Sequence, residues 1–258
     1  MQRLGAVARS CEDLIDQAAA APIDGWDFSW LEGRATEERP SWRYSARLAE
    51  RAAAVSSLLD IQTGGGELLG QLPRLPTLTV ATENWEPNVR RAAQRLRPRG
   101  AWVVVTHDDR EELPFSAATF DLVSSRHPIV TCWNEVARVL RPGGRYFSQQ
   151  VGPHSNRELI EFFMGPQPDT SPRNPKIAVE NARAAGLRVD GIQAERLRAT
   201  FFDVGAVVYF LRLVVWTVPD FSVDRYRDRL VAMHRLIEES GPFVAHPTRF
   251  LIEAVKPT

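Results

Sequence analysis

The chain has 258 residues, of which 44% are hydrophobic and 25% charged, which is ordinary for a globular protein of one large α/β domain or one domain with a cap. Its 32 basic and 32 acidic residues leave no surplus of positive charge to neutralise phosphates, so nucleic acid is not an expected partner. The two cysteines, Cys11 and Cys132, fit no disulfide framework or zinc spacing, and no metal is expected.

Two stretches bear on localisation. Residues 1–17 are interrupted by charges such as Arg9 and Glu12 before an apolar signal core can form. The run 206–218 is too short to span a bilayer and contains Arg212. We therefore expect a soluble cytoplasmic protein with no membrane partner.

The first 55 residues differ from the rest. They carry three tryptophans among charges and prolines, which predicts a helical or irregular cap over residues 1–55. From residue 56 to residue 202, short apolar runs alternate with amphipathic stretches, the pattern of repeated strand–helix units around a parallel sheet. The strands are expected at residues 56–61, 77–82, 101–106, 119–125, 145–151 and within 187–197. Helices are expected after the first strand as far as Pro73, from about Pro87, at 133–140 and near 176–185.

An insertion follows at residues 203–240. Its first part is apolar nearly all round, and Ser222 is placed to cap a helix over 223–240. Residues 241–258 supply the last strand of the core at 248–255. The expected fold is α/β: a Rossmann-like, seven-stranded and mostly parallel sheet with helices on both faces, an N-terminal cap and a helical insertion before the last strand.

The first strand runs into a turn of consecutive glycines at the head of a helix. Glycine lets the backbone turn tightly and approach a ligand, and a helix start offers free N–H donors. A dinucleotide site requires G-x-G-x-x-G; Gly64 and Gly66 fit its first two positions, but Leu69 occupies the third. The dinucleotide pattern therefore fails.

The same segment resembles motif I of class I S-adenosylmethionine-dependent methyltransferases, an acidic residue followed by x-G-x-G-x-G. Asp60, Gly64 and Gly66 match it, whereas Gln62 stands where the first glycine is usual. A negative φ at Gln62 would accommodate this difference. Glu83, at the end of the second strand, is placed to accept hydrogen bonds from both ribose hydroxyls of a nucleoside.

Three later segments continue the resemblance, which covers roughly residues 56–151. Residues 108–115 are similar to the family's D-A-x-x-L-P-F segment, whose acidic residue holds the adenine amino group; Asp109 aligns by spacing, and Asp108 is the alternative. Residues 119–123 and the E-x-x-R-V-L-R-P-G-G block at 135–144 follow in the family's order.

The resemblance implies S-adenosylmethionine as cofactor, no catalytic metal, and direct methyl transfer to an O, N, S or C nucleophile of a small molecule, by analogy in secondary metabolism. The residues expected to bind the cofactor are Asp60, Gln62, Gly64, Gly66, Glu83, Asp109 and Arg126. Two alternatives stay open: an NAD or nucleotide-sugar enzyme, and a non-catalytic binding or interaction domain. The second is suggested by Gln62, which departs from the motif. A homodimer is a possible assembly.

The fourth strand ends at Arg126 and His127, which should face the ligand. His127 is the candidate general base, because an imidazole of pKa about 6.5 accepts a proton near neutral pH; the alternative is a hydrogen bond to the backbone beside the cofactor. Arg126 either binds an acidic substrate or pairs with a carboxylate. An apolar lid is expected from the following aromatic residues: Trp26, Trp30, Trp42, Tyr44, Tyr209, Phe210 and Trp216.

Overall fold

A computed structural model of the protein describes residues 9–106, 112–169 and 171–258. The helices of these residues are α1 Cys11–Ala20, α2 Tyr44–Ala53, α3 Glu67–Gln71, α4 Glu86–Leu96, α5 Trp133–Val139, α6 Arg157–Met164, α7 Pro175–Ala184, α8 Val204–Leu213 and α9 Val223–Ser240. The strands are β1 Ala35–Glu37, β2 Ser57–Ile61, β3 Leu78–Glu83, β4 Trp102–Val105, β5 Phe120–Arg126, β6 Leu140–Val151, β7 Arg188–Arg196, β8 Ala199–Phe201, β9 Phe243–Ala245 and β10 Thr248–Val255. Short 3₁₀ helices lie at Ser29–Leu31 and Arg97–Arg99.

Seven strands form the main sheet, in the order β4-β3-β2-β5-β6-β10-β7. The pairs β4–β3, β3–β2, β2–β5 and β5–β6 are parallel, and β10 runs antiparallel to both of its neighbours. Apolar side chains of α2, α3 and α4 are buried on one face, and those of α5 and α7 on the other. The predicted Rossmann-like fold is confirmed.

The order of the strands fixes where a ligand can bind. The chain builds outward from β2 to β3 and β4, then crosses back to β5 on the other side of β2. In open α/β sheets this reversal leaves a crevice outside the carboxyl ends of the two central strands. The register pairs Asp60 of β2 with Ser124 of β5, so the predicted motif ends in this crevice.

A second apolar layer lies beside the sheet and is called the cap here. It consists of α1, α6, α8, α9 and a three-stranded antiparallel sheet in the order β1-β8-β9. Ile15 of α1, Val207 of α8 and Leu230 of α9 are among its fully buried residues. The N-terminal segment and the insertion therefore share one core, although more than 180 residues separate α1 from α8 in the chain.

Not all of residues 1–55 lies in the cap. α2 packs with the core sheet, where Leu48 is fully buried among residues of β2 and β5. The division of the chain at residues 55, 202 and 240 stays a prediction. In the described ranges 9–106, 112–169 and 171–258, no helix is long and apolar enough to cross a membrane.

Candidate active site

The glycine turn, residues 62–66, joins β2 to α3 through left-handed backbone. Gly64 has φ 65° and Gly66 has φ 73°, a region that costs residues with a side chain free energy. A Cβ on Gly66 would lie 2.9 Å from Leu96 Cδ1 and 3.3 Å from Ala92 Cα. Gly66 therefore lets the turn pack directly on α4, which holds the turn at the carboxyl edge of the sheet.

Glu83 meets the glycine turn at the end of β3. Its Oε2 accepts a hydrogen bond from the backbone N–H of Gly64 at 2.7 Å, and its Oε1 accepts from the N–H groups of Asn84 and Trp85, each at 3.1 Å. The residue is only 6% exposed. The structure thus brings together two groups that the sequence placed 19 residues apart, and each carboxylate oxygen can accept more than one hydrogen bond.

Asp60 lies behind this edge and is 2% exposed. Its Oδ1 accepts a hydrogen bond from Ser124 Oγ at 2.5 Å, across the β2–β5 pair. Burial raises the pKa of Asp60 from 3.8 to about 6, because the charged form loses its hydration. This side chain fastens the two central strands together directly below the predicted site.

Gln62 does not have the negative φ that would accommodate it in place of the usual glycine. Its φ is 55°, in the left-handed region that favours glycine. The side chain bridges to the loop after β5: Oε1 accepts from the N–H of Ile129 at 2.6 Å, and Nε2 donates to the carbonyl of Val130 at 3.0 Å. These two hydrogen bonds, about 1 kcal/mol each, offset a backbone cost of roughly 1–2 kcal/mol.

The Gln62 bridge narrows the crevice on its β5 side. The remaining cavity there has a volume of about 40 Å³ and is lined by Gln62, Ser125, Pro128 and Tyr146, among others. Such a volume holds a few water molecules. A ligand that lies across the ends of both central strands would therefore meet the Gln62 side chain.

His127 follows β5 and is held by Gln149. The backbone N–H of His127 donates to the Gln149 carbonyl at 2.7 Å, and the two side chains meet at 2.8 Å between His127 Nε2 and Gln149 Nε2. Trp42 Nε1–H donates to Gln149 Oε1 at 2.8 Å, which fixes the orientation of the amide. Gln149 Nε2 is therefore the donor, and His127 Nε2 accepts through its lone pair.

This arrangement makes His127 a neutral imidazole with its proton on Nδ1. Burial, and then the positive charges of Arg249, Arg126 and Arg173, hold the pKa of His127 well below its usual value. Because Gln149 occupies the Nε2 lone pair, the ring is bound to a side-chain amide. Both expected roles, the general base and the hydrogen bond to the backbone beside the cofactor, stay predictions, and the base role would require the contact with Gln149 to break.

Arg126 is the exposed last residue of β5. Within residues 9–106, 112–169 and 171–258 no carboxylate forms an ion pair with it, so of its two expected roles, pairing with a carboxylate is not seen there. Asp109, and its alternative Asp108, lie outside the described residues.

Three tryptophans form an aromatic cluster above the glycine turn. The ring centroids of Trp26 and Trp85 are 5.6 Å apart, and those of Trp26 and Trp216 are 5.3 Å apart. A Cβ on Gly64 would lie 3.3 Å from Trp26 Cδ1. Residues from the N-terminal segment, the core and the insertion therefore meet at this point, and the lid stays a prediction.

Trp85 was not among the residues predicted for the lid, although its place two residues after Glu83 could have indicated that it lies near the glycine turn. The other predicted lid residues divide between two cores. Trp30 stacks on Tyr209 within the cap, with centroids 4.8 Å apart. Trp42 and Tyr44 are buried on the sheet, where Tyr44 stacks on Phe147 at 4.7 Å.

Comparison with known proteins finds a family match over part of the chain. Residues 59–148 match a methyltransferase-domain family, and this stretch contains the glycine turn, Glu83 and His127. The 27-O-demethylrifamycin SV methyltransferase of Amycolatopsis mediterranei (strain S699) is 32% identical over 216 residues, which cover 76% of this chain. The match spans 64% of that relative's length.

Solved structures share the fold. The [4+2]-cyclase SpnF superposes with a TM-score of 0.52 at 19% identity, covering 96% of this chain and 92% of that one. A phosphoethanolamine N-methyltransferase 2 of Haemonchus contortus in complex with S-adenosyl-L-methionine gives 0.51 at 18% identity, covering 84% of this chain and 53% of that one.

The seven-stranded sheet, the glycine turn and the acidic residue after the next strand are the features by which the sequence resembles class I, S-adenosylmethionine-dependent methyltransferases. Residues 59–148 match the methyltransferase-domain family, and the fold agrees with that match.

Proposed function

We propose that the protein transfers a methyl group from S-adenosylmethionine to a nucleophilic atom of a small molecule. The observation that carries this proposal is the meeting of Glu83 with the N–H of Gly64 at the shared edge of β3 and β2. A carboxylate held beside a glycine turn is suited to the ribose of a nucleoside. The family match supports the same reading.

The residues present fit this cofactor on the β3 side of the crevice. Gly64 and Gly66 leave the turn without side chains, Glu83 supplies acceptors, and Trp85 supplies an aromatic face for the nucleoside. On the β5 side the Gln62 bridge has to open. When bound, S-adenosylmethionine supplies a methyl group already activated by a positively charged sulfur.

The chain's own residues then bind, orient and exclude water. Gln149 holds the neutral His127 ring at the end of β5, where the ring positions a substrate without carrying a charge of its own. The aromatic cluster closes over the turn and keeps the site dry, which strengthens the polar interactions inside it. Because the methyl group is already activated, positioning of the nucleophile is the main task left to the protein.

A small-molecule substrate agrees with the balanced charge of the chain, which offers no surplus for a nucleic acid. The similarity to a methyltransferase of 27-O-demethylrifamycin SV supports a role in secondary metabolism and an oxygen nucleophile. We also propose a cytoplasmic location, because S-adenosylmethionine is a cofactor of the cell interior.

A second candidate is a protein of this fold that binds the cofactor or a ligand without methyl transfer. The Gln62 bridge favours it, because the side chain occupies part of the crevice. The same fold occurs in a [4+2]-cyclase, so the fold alone does not imply methyl transfer.

Isothermal titration calorimetry with S-adenosylmethionine, S-adenosylhomocysteine and NAD separates these readings. We expect one site for S-adenosylhomocysteine and none for NAD. Glu83→Gln should weaken binding at least about tenfold, since a charge-assisted hydrogen bond to ribose contributes roughly 1.5–3 kcal/mol. Glu86→Gln is the matched control, because Glu86 lies three residues along and pairs with Arg90 on the surface.

The proposal would be refuted if the wild-type protein bound neither S-adenosylmethionine nor S-adenosylhomocysteine. Binding of NAD would favour a dehydrogenase. Binding without labelled methyl transfer to any acceptor, in a panel of hydroxylated, amino and carboxylic small molecules, would favour the second candidate.

A further inference from the structure

Trp42, Gln149 and His127 form a chain of hydrogen bonds that is called the Trp42 relay here. Trp42 belongs to the segment before α2, Gln149 lies in β6, and His127 follows β5. Trp42 Nε1 donates to Gln149 Oε1 at 2.8 Å, and Gln149 Nε2 lies 2.8 Å from His127 Nε2. Trp42 is 5% exposed and Gln149 is 3% exposed, so the amide at the centre of the relay is largely closed to water.

The segment that carries the indole is fastened to β5 and β6. The hydroxyl of Tyr44 lies 2.9 Å from the carbonyl oxygen of Ser125 and 3.2 Å from that of Phe147, and it donates to this pair. These carbonyls come two residues before His127 and Gln149. His127 has a left-handed backbone, with φ 57°, and its N–H donates to the Gln149 carbonyl at 2.7 Å. The indole and the imidazole are therefore held in place on either side of the Gln149 amide.

The donors and acceptors of the Trp42 relay can be matched in one way only. An indole nitrogen donates and never accepts, so Trp42 requires the amide oxygen of Gln149 on its side. The amide then turns its NH₂ group towards His127, and Nε2 of the ring has to accept through its lone pair. With the amide reversed, or with a proton on Nε2, two N–H groups would face each other in a place largely closed to water, which is costly.

The proton of the neutral His127 ring therefore lies on Nδ1. In the described ranges 9–106, 112–169 and 171–258, no protein group accepts a hydrogen bond from this nitrogen. The charged groups that act on the ring are Arg249, Arg126 and Arg173, and after burial these cations lower its pKa further. The ring thus offers a ligand one donor, Nδ1–H, and has no lone pair free to take a proton.

We propose that Trp42, acting through Gln149, is a positioning residue that holds His127 as a neutral hydrogen-bond donor from Nδ1–H. While the Trp42 relay is intact, His127 does not remove a proton from the nucleophile. This inference deepens the proposed function and rests on it for the presence of a substrate beside the ring. The state of the ring itself is measurable without a substrate.

The test is ¹⁵N NMR of the imidazole rings near neutral pH, in the protein alone and loaded with S-adenosylhomocysteine. The chemical shift of a ring nitrogen distinguishes one that carries a proton from one that carries a lone pair. The spectrum of His127→Gln identifies the resonances of His127 among those of the five histidines. We expect a protonated Nδ1 and an unprotonated Nε2 in both states.

Trp42→Phe removes the indole N–H and keeps an aromatic ring. The Gln149 amide is then free to reverse, so the ratio of the Nε2–H form to the Nδ1–H form of His127 should rise at least about fivefold, the effect of one hydrogen bond. Trp102→Phe is the matched control, because Trp102 is 69% exposed on β4, and it should leave the ratio unchanged.

Gln149→Glu makes the opposite change at the centre of the relay. A carboxylate has acceptors only, so it favours a proton on Nε2, and His127 should titrate at a higher pH than in the wild-type protein. Thermal unfolding checks that each variant folds, and the spectrum of the wild-type protein needs no variant.

A wild-type His127 with its proton on Nε2, or with both nitrogens protonated near neutral pH, would overturn the inference, whether S-adenosylhomocysteine is present or not. So would a folded Trp42→Phe variant with an unchanged ratio of the two forms. Failure of the wild-type protein to bind S-adenosylhomocysteine would instead contradict the proposed function, and the spectrum of the protein alone would still test the Trp42 relay.

Discussion

At the scale of single residues, two residues at the crevice each carry a free-energy cost in the folded state. Asp60 is a carboxylate buried at 2% exposure, with a hydrogen bond from Ser124 as its compensation. Gln62 holds a left-handed backbone and offsets the cost by bridging to Ile129 and Val130. Residues that lower stability in this way are typical of functional sites, because the fold would not otherwise retain them.

The raised pKa of Asp60 predicts that the free energy of unfolding depends on pH. The folded protein holds this proton more tightly than the unfolded chain does, so its contribution is full below pH 3.8 and is lost as the pH rises to about 6. Over the whole range the contribution of Asp60 to the free energy of unfolding falls by roughly 3 kcal/mol. Roughly 1 kcal/mol of this loss occurs between about pH 5 and about pH 7.5.

Asp60→Asn removes the titration and keeps the shape. Urea unfolding should show the variant gaining about 1 kcal/mol relative to wild type between about pH 5 and about pH 7.5. A difference between the two proteins that does not change with pH would contradict the burial of an ionised Asp60.

The Gln62 bridge predicts opposite effects on stability and on binding. Gln62→Ala removes both side-chain hydrogen bonds and keeps the left-handed strain, so the free energy of unfolding should fall by about 2 kcal/mol. Gln62→Gly also relieves the strain and should stay within about 1 kcal/mol of wild type. Both variants should bind S-adenosylhomocysteine roughly fivefold more tightly, since no bridge has to open.

Calorimetry of the two variants measures their affinity for S-adenosylhomocysteine. Comparison of Gln62→Gly with Gln62→Ala separates the effect of the lost hydrogen bonds from the effect of the left-handed backbone. Weaker binding by both would mean that the Gln62 amide holds the cofactor directly, which is the role the sequence-based prediction gave it.

At the scale of elements, a strap of residues 24–27 ties the cap to α4 beside the glycine turn. Asp24 pairs with Arg91 at 2.5 Å, and Gly25 lies so close to Asn88 that a Cβ would be 2.7 Å from its Oδ1. Trp26 follows in the aromatic cluster. The strap therefore connects the cap to α4 beside the glycine turn.

Gly25→Ala should destabilise the protein more than Gly33→Ala. Both glycines have positive φ, 58° and 72°, so both variants bear a backbone cost of roughly 1–2 kcal/mol. Only Gly25 has neighbours within 4 Å of the added atom, and overpacking contributes about 1–3 kcal/mol more. Urea unfolding measures the difference, and the affinity for S-adenosylhomocysteine should fall only in Gly25→Ala. Equal losses would show that the strap is not tightly packed.

The regular elements of the core could be predicted because their signals are local. α9 and β10 begin and end at the predicted residues 223–240 and 248–255, since the capping Ser222 and the apolar periodicity mark them in the sequence. β1, β8 and β9 were not predicted. Each has three residues, too few for a period, and each pairs with a segment far away in the chain.

In the candidate site, only the contacts that follow from neighbouring strands could be predicted. Glu83 and Gly64 follow adjacent parallel strands, so their meeting follows from the sheet alone. The Gln62 bridge depends on where the loop at 129–130 lies, and the ion pair between Arg249 and Glu37 depends on β10 returning between β6 and β7. Neither is encoded in the local sequence.

At the scale of the whole molecule, two groups of polar residues lie at different parts of one edge of the sheet. The strands β3 and β2 carry Glu83 and the glycine turn, whereas β5 and β10 carry Arg126 and Arg249. The cap reaches the glycine turn through Trp26, and it reaches Arg249 through Glu37 of β1. One layer thus contacts both parts of the edge.

A crystal structure of the protein with S-adenosylhomocysteine tests this account most directly. We expect the ribose hydroxyls within hydrogen-bonding distance of the Glu83 carboxylate, and the Gln62 side chain released from the N–H of Ile129 and the carbonyl of Val130. A nucleoside bound elsewhere, or crystals grown at saturating ligand with the Gln62 bridge intact and no nucleoside at the edge of β2 and β3, would contradict it.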